Sequence, residues 1–393
     1  LTAALIRLGN QWSYQYDGRQ NRISVTDALN AMTYFAYDGQ DLVRHEIDPL
    51  NHVTYLGYDA SRNRTSATDP DNYTAYYEYE TSGLLRQKKD RRGAFNYYIY
   101  DAKANVSKTT DSLGYPTYFA YDSAGDRTAQ VDPLSRISYW TYDKKSRVTQ
   151  SKDPLSATRQ FVYDARCNLV TDVDPRGNAT YHTYDGNSNR TKTLDALLNP
   201  TYFRYDAEER LQGQKNARLF ETVFTYDSLG RRASQVDPLG GTTYLSYDNA
   251  HDVNQMLNPR GNATYFQYDS AGRIQTQKDA YLSTTYFGYD LKGNRVLTLD
   301  QRNNQTYFKY NLRDLLGSTK NAVSANTVFA YDEERNRTTS VDPLGNPTYF
   351  TYNLAGRLTH QTDALSNVRY FGYDGAGQQI LQLDELGAPT YYG

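Results

Sequence analysis

The chain is expected to be all-β, with tandem two-stranded hairpin repeats forming a spiralling antiparallel β-sheet that closes as a tube, shell or fibre. Three observations predict this. A tyrosine recurs every 21 residues without one insertion or deletion, at Tyr16, Tyr37, Tyr58, Tyr79, Tyr100, Tyr121, Tyr142, Tyr163, Tyr184, Tyr205, Tyr226, Tyr247, Tyr268, Tyr289, Tyr310, Tyr331, Tyr352 and Tyr373. Turn residues fall at two fixed places in each repeat, and the stretches between them are rich in Thr, Tyr and Phe, which suit a pleated, half-buried surface. Finally, 40 Tyr and 13 Phe supply the aromatic area needed to order the chain, whose mean hydropathy of −0.82 alone would suggest disorder.

Each repeat is counted from its tyrosine as offset 0. Asp follows that tyrosine in fifteen repeats, with Glu80, Asn311 and Asn353 in the others. The first turn is Asp-x-x-Gly at offsets 1 to 4, as at 122–125, 227–230, 269–272 and 290–293. The second is Asp-Pro-Leu-Gly at offsets 11 to 14, built on Asp132, Asp237 and Asp342. Asp accepts nearby backbone N–H groups at the first turn position, Pro presets the second, and Gly takes the left-handed position that follows. Strands are expected at about offsets 5 to 11 and 16 to 21. Turn residues every ten or so positions leave no room for helices.

The odd period constrains the sheet. Side chains alternate with a period of two, so an odd repeat swaps faces each time unless it holds one extra residue. A left-handed Gly in a bulge at offset 4, or secondarily at offset 14, is the expected device. Offset 19 is then on the face of offset 0 and forms an aromatic stripe, as at Phe119, Trp140, Phe161, Phe203, Phe266 and Phe350. Offset 18 points the other way and is Tyr in fifteen repeats. Equivalent tyrosines lie two strands apart, roughly 9–10 Å, too far to stack directly. Offset 6 must fill the gap: it is Arg at Arg64, Arg127, Arg190, Arg232, Arg295 and Arg337, or aliphatic at Val43, Val148, Leu211 and Leu316. Either type can lie against a ring.

These readings single out the repeat tyrosines Tyr58, Tyr121, Tyr184, Tyr226, Tyr289 and Tyr331, the turn aspartates Asp132, Asp237 and Asp342, and the stripe residues Phe119, Phe203, Phe266 and Phe350. Residues 1–393 are expected to be one continuous array of about eighteen repeats, a fragment of or window on a longer chain, because Leu1 falls at offset 6 and Gly393 at offset 20. Some 36 strands make roughly 170 Å of sheet, which twist forces to curl.

The motif Tyr-Asp-x-x-Gly-Asn-Arg-Thr with Asp-Pro-Leu-Gly-Asn-x-Thr-Tyr, nearly complete at 331–349, resembles the Rhs or YD-repeat family. The resemblance implies a spiralling hairpin sheet around a cavity, as in bacterial polymorphic toxins, shell-forming subunits of insecticidal toxin complexes and the teneurin ectodomain. It also implies a bacterial protein that is extracellular or at the cell surface. Unbroken regularity departs from the irregular repeat lengths of such shells and favours an open-ended tube or fibre.

Other chemistries find little support. With 43 Lys and Arg against 45 Asp and Glu, no basic field favours nucleic acid. No apolar run approaches the ~20 residues of a membrane helix. Turn geometry accounts for the carboxylates better than a glycosidase pair or a calcium site does. His45, His52, His182, His251 and His360 share no recurring place. Cys167 occupies a turn Gly position without a recurring base nearby. Phosphate-binding loops and serine-nucleophile motifs are absent. No catalytic, cofactor or metal site is therefore assigned. The expected function is a structural tube or fibre with itself as partner. The alternatives are a shell segment around an encapsulated toxin domain, and an adhesion module that stacks glycans on the offset-18 tyrosines.

Overall fold

The computed structural model describes residues 4–7 and 10–392, which leaves Leu1 and Gly393 outside the described residues. Those residues form 38 strands and no helix. From Arg22–Thr26 to Gln379–Leu383 two lengths alternate: a six-residue strand ending on the repeat tyrosine, such as Thr158–Tyr163, and a five-residue strand beginning at offset 6, such as Leu169–Val173. The strand expected at offsets 16 to 21 is thus present as such, and the one expected at offsets 5 to 11 is shorter, at 6 to 10.

The chain gathers into two compact units. One comprises Leu1–Thr117, Phe266–Lys278 and Leu282–Gly393, and the other Tyr118–Tyr265 with Asp279–Tyr281. Within each, described pairings are antiparallel and join strands consecutive in sequence, as Thr158–Tyr163 joins Leu169–Val173 and that strand joins Ala179–Tyr184.

Both turns have one geometry. In the turn after Tyr163, Cys167 N donates to Asp164 O at 3.1 Å and Asp164 N donates to Asn168 O at 2.9 Å. The second turn repeats this, with Gly177 N donating to Asp174 O and Asp174 N to Asn178 O, both at 2.9 Å. The fourth turn residue is left-handed throughout: fourteen glycines and 22 other residues have positive φ, 36 in all, two for each of eighteen repeats. At Leu198, Leu219 and Leu282 (φ of 61°, 66° and 65°) a bulky side chain accepts that conformation.

The extra residue lies elsewhere than expected. Because each turn pairs residues four apart, neither left-handed position changes the alternation. The register breaks opposite the repeat tyrosine: Val162 pairs with Thr171, while Tyr163 pairs with Leu169, leaving Val170 over. The same break follows Ala120, where Tyr121 faces Arg127 and Thr128 is left over. Offset 7, not offset 4 or 14, is the bulge that lets an odd repeat keep its faces.

The only buried hydrophobic residues among those described are Ala31, Ala75 and Ala94. Along the sheet, stability comes from contacts between neighbouring repeats, the regime of stacked-repeat proteins.

The first unit adds one long-range feature. The second turn of an early repeat meets the first turn of the repeat twelve places on: Ala28 belongs to the repeat of Tyr16, and Ser270, whose Oγ donates to Ala28 O at 3.1 Å, to that of Tyr268. Four further rungs follow, one per repeat, at Asp48–Lys292 (2.7 Å), Asp71–Arg313 (2.6 Å), Arg91–Glu334 (2.7 Å) and Ser112–Leu354 (2.9 Å).

Candidate functional site

The repeated surface itself is the candidate site: two turn edges and two side-chain faces, each with its own chemistry. At the turns, the aspartate carboxylate organises the loop. Asp342 Oδ1 accepts from Leu344 N (2.8 Å) and Asn346 N (2.9 Å), and Oδ2 accepts from Asn346 Nδ2 (3.0 Å). Asp237 accepts from Leu239 N and Gly241 N at 2.8 and 2.9 Å. Asp132 adds the Arg136 guanidinium at 2.6 Å to the backbone donors of Leu134 and Arg136.

These donors favour the ionised form. The side-chain amide of Asn346 leads in holding Asp342 below the ordinary aspartate range. The guanidinium of Arg147 leads at Asp143, pulled down to about 2. At Asp132 burial is the largest influence and pushes upward, but the donors from Arg136 and Leu134 outweigh it. A carboxyl whose pKa is depressed by folding stabilises the fold above its unfolded pKa, and that contribution is lost as pH falls through the folded value. Melting temperature should therefore decline as pH drops from about 4 towards about 2. Asn216 already serves this turn, its Oδ1 accepting from Arg218 N and Phe220 N at 3.0 and 3.1 Å. Replacing Asp143 and Asp342 with Asn should leave the fold intact and flatten the acid limb of a calorimetric pH series; an unchanged limb would refute the assignment.

One face carries the repeat tyrosines and the offset-19 ring. In most repeats the hydroxyl of the repeat tyrosine crosses to the preceding strand and donates to the offset-6 carbonyl fifteen residues earlier. Tyr184 reaches Leu169 O (2.9 Å), Tyr226 Leu211 O (2.7 Å), Tyr289 Ile274 O (2.9 Å) and Tyr331 Leu316 O (2.9 Å). Tyr58 and Tyr121 pair with Arg64 and Arg127 at the same register break. This bond explains why the position is Tyr where Phe would pack as well, a reason that aromatic patterning alone does not disclose. Tyr226→Phe should cost about 1 kcal/mol in urea unfolding, and a smaller loss than Tyr226→Ala separates hydroxyl from ring.

Offset-6 arginines occupy the space between rings. Arg127 lies 5.8 Å from the Phe119 centroid and 4.6 Å from that of Trp140; Arg337 lies 5.7 Å from Phe329 and 4.8 Å from Phe350. Arg190 covers Phe203 at 4.8 Å. Phe266 is half-buried in the strand Ala263–Tyr268. His182 takes a stripe position, where burial lowers its pKa and its Nδ1 lies 3.1 Å from Thr193 Oγ1.

A second set of arginines, at offset 5, did not emerge from the aromatic pattern. Arg147, Arg210, Arg231 and Arg273 lie 4.4 to 4.7 Å over Tyr163, Tyr226, Tyr247 and Tyr289. Each also pairs with the turn aspartate four residues before it. The recurring Asp-x-x-x-Arg spacing was the available signal.

The opposite face presents the offset-18 tyrosines to solvent, from 40% exposed at Tyr265 to 76% at Tyr391 in the last repeat. His45 and His360 lie beside two of them, with ring centroids 5.8 and 4.7 Å from Tyr55 and Tyr370. Cys167 is exposed, its Sγ 3.4 Å from Lys145 Nζ. Among the described residues no three His, Cys, Asp or Glu side chains gather as a metal site, and no helix is long and apolar enough to cross a membrane.

Residues 253–392 match the teneurin YD-shell family model and residues 226–263 the RHS repeat model. No curated protein matches the chain. Among solved structures, TcdB2-TccC3-TEV is similar with a TM-score of 0.68 at 13% identity, over 95% of this chain and 26% of that one. TcdB2-TccC3 without its hypervariable C-terminal region gives 0.69 at 12%, over 96% and 26%. The Photorhabdus luminescens Tc holotoxin pore gives 0.55 at 14%, over 98% and 26%. The chain thus spans about a quarter of the length of the solved chains it resembles, and these likenesses establish the fold.

Proposed function

From the premise that this chain belongs to the Rhs/YD-repeat family, by its residues 226–392, we propose that it is a structural β-repeat segment of the wall of an extracellular bacterial shell. The wall encloses a polypeptide continuous with it, and the shell acts as one component of a toxin assembly. The observation that carries this reading is the twelve-repeat return in the first unit, where five successive repeats each contribute a polar rung. Hairpins joined only to their neighbours make a ribbon, whereas turn edges locked to later turn edges make a continuous barrier. Arginine-filled aromatic stripes and hydrogen-bonded turns serve that barrier and need no bound cofactor.

The test is protease protection in the native full-length protein. Polypeptide continuous with the array should resist cleavage until the array unfolds. Cleavage at the rate of the same polypeptide free in solution would overturn the proposal.

A further inference from the structure

We propose that an inversion of charge along the seam acts as a register key, matching each second turn of the first unit to the first turn twelve repeats on and opposing the turn of the next repeat. Near-identical repeats call for such a device, because a shift of one whole repeat sets every turn against an equivalent turn and keeps every face. Fixing register is the best-attested use of buried ionic groups. The seam turns depart from the repeat in a complementary way. At the third rung the early turn holds two carboxylates, Asp69 and Asp71, and the late turn opposite carries Asn311 and Arg313. Asn311 and Asn353 are the two places where Asn stands for the offset-1 Asp, and both lie on this late edge. At the fourth rung the signs are exchanged. The early turn reads Asp-Arg-Arg-Gly at 90–93 in place of Asp-Pro-Leu-Gly, and the late turn carries Asp332, Glu333 and Glu334.

Contacts across the fourth rung follow that exchange. Glu334 accepts from the Arg91 N–H at 2.7 Å, and the Arg92 guanidinium lies 3.9 Å from the Asp332 carboxylate and donates to Asn353 O and Leu354 O at 3.2 and 2.9 Å. The charged groups are sheltered, with the side chains of Asp69, Arg313 and Arg92 5%, 4% and 16% exposed. A shift of one repeat would set Asp69 and Asp71 against Asp332, Glu333 and Glu334. A buried charge without its partner is strongly destabilising, and like charges facing each other add to the loss. The rungs of Ala28 and Ser112 end on backbone carbonyls, which every turn presents, so they leave the choice of repeat to the charges. The key acts on the seam alone and holds whether or not a polypeptide is enclosed, so its failure would leave the shell proposal standing.

Deleting residues 164–184 removes one repeat from between the seam edges, so Ala28 comes to face Leu291, which holds the place of Ser270 one repeat later. Disulfide formation in a glutathione buffer, read by mass spectrometry of linked peptides, reports each seam. The full chain carries Ala28→Cys, Ser270→Cys and Cys167→Ser, and the shortened chain Ala28→Cys and Leu291→Cys. The shortened chain should favour its disulfide about tenfold less than the full chain does. Glu333→Arg with Glu334→Arg should then act in opposite directions. It should strengthen the shortened seam, where positions 333 and 334 face Asp69 and Asp71, and weaken the native one, where they face Arg91 and Arg92. Circular dichroism confirms folding. Asn311→Asp is a gentler test, because Asp holds this turn position in fifteen repeats. Opposite Asp69 and Asp71 it should weaken the native disulfide about tenfold, and Asn216→Asp, outside the seam, should not. No change, or a change in the same direction, in the two chains with Glu333 and Glu334 reversed would overturn the inference, as would a native disulfide indifferent to Asn311→Asp.

Discussion

Deletion of residues 164–184 should leave a folded protein, whereas deletion of residues 164–173, less than half as many, should abolish folding across the junction. The longer deletion removes one full period, so Tyr163 is followed by Asp185 in place of Asp164 and every turn, bulge and face keeps its phase. Along the sheet the loss is one repeat and one interface, and each seam rung shifts to the equivalent position of the next repeat. The shorter deletion removes the strand Leu169–Val173 with its register break. Tyr163 would run straight into the turn of Asp174, and Phe161 would face Tyr181, setting an offset-19 ring against an offset-18 tyrosine. Every downstream repeat would then turn its exposed face to the side on which the upstream repeats carry the aromatic stripe. Removing one strand also reverses the edge on which each later turn emerges. The penalty should exceed the ~5–15 kcal/mol by which a domain is stable. Circular dichroism and thermal melting distinguish the cases: the longer deletion keeps one cooperative transition, and the shorter gives aggregation or no transition. Equal damage from both would mean that the repeat phase is wrong.

The same comparison shows what the residues disclosed and what they hid. Strand positions, both turns, the two faces and the arginine between rings were legible because each depends on contacts within one repeat or its neighbour. Period, parity and residue type encode such contacts directly. Parity demanded one surplus residue but could not locate it, because residue types do not disclose which positions pair across each turn. Only the pairing of Tyr163 with Leu169, and of Val162 with Thr171, assigns the surplus to offset 7. The tyrosine hydroxyl bond was hidden for a related reason: a carbonyl acceptor has no sequence signature. The seam lay furthest from view. Asp71 and Arg313 are 242 residues apart, and their meeting depends on how much each repeat turns the sheet, a small angle summed over twelve repeats. No local pattern fixes that angle.

Arg313 is where that accumulated geometry should have its largest energetic consequence. Its side chain is 4% exposed, against 24% for its partner Asp71. The guanidinium donates to Asp71 Oδ2 at 2.6 Å and to the carbonyls of Asp332 and Glu333, both at 2.9 Å, and lies 5.1 Å from the Tyr73 ring centroid. Arg313→Ala removes all of these at once and leaves a partly buried carboxylate and two carbonyls without their donor. The expected loss is about 3 kcal/mol, at the lower end of the range for breaking a buried pair, because Asp71 keeps some water. Asp71→Asn should cost less, since Arg313 retains both carbonyls and the ring. Arg313→Met separates lost volume from lost charge: if packing dominated, it would restore most of the stability. Urea unfolding gives the totals. Hydrogen exchange should localise the opening to 69–73 and 332–334, two segments that nearest-neighbour coupling alone would leave independent. A loss below about 1 kcal/mol, the scale of an exposed pair, would mean that the rung follows from the fold without supporting it. A larger loss confined to those segments would show that repeats twelve places apart are energetically coupled.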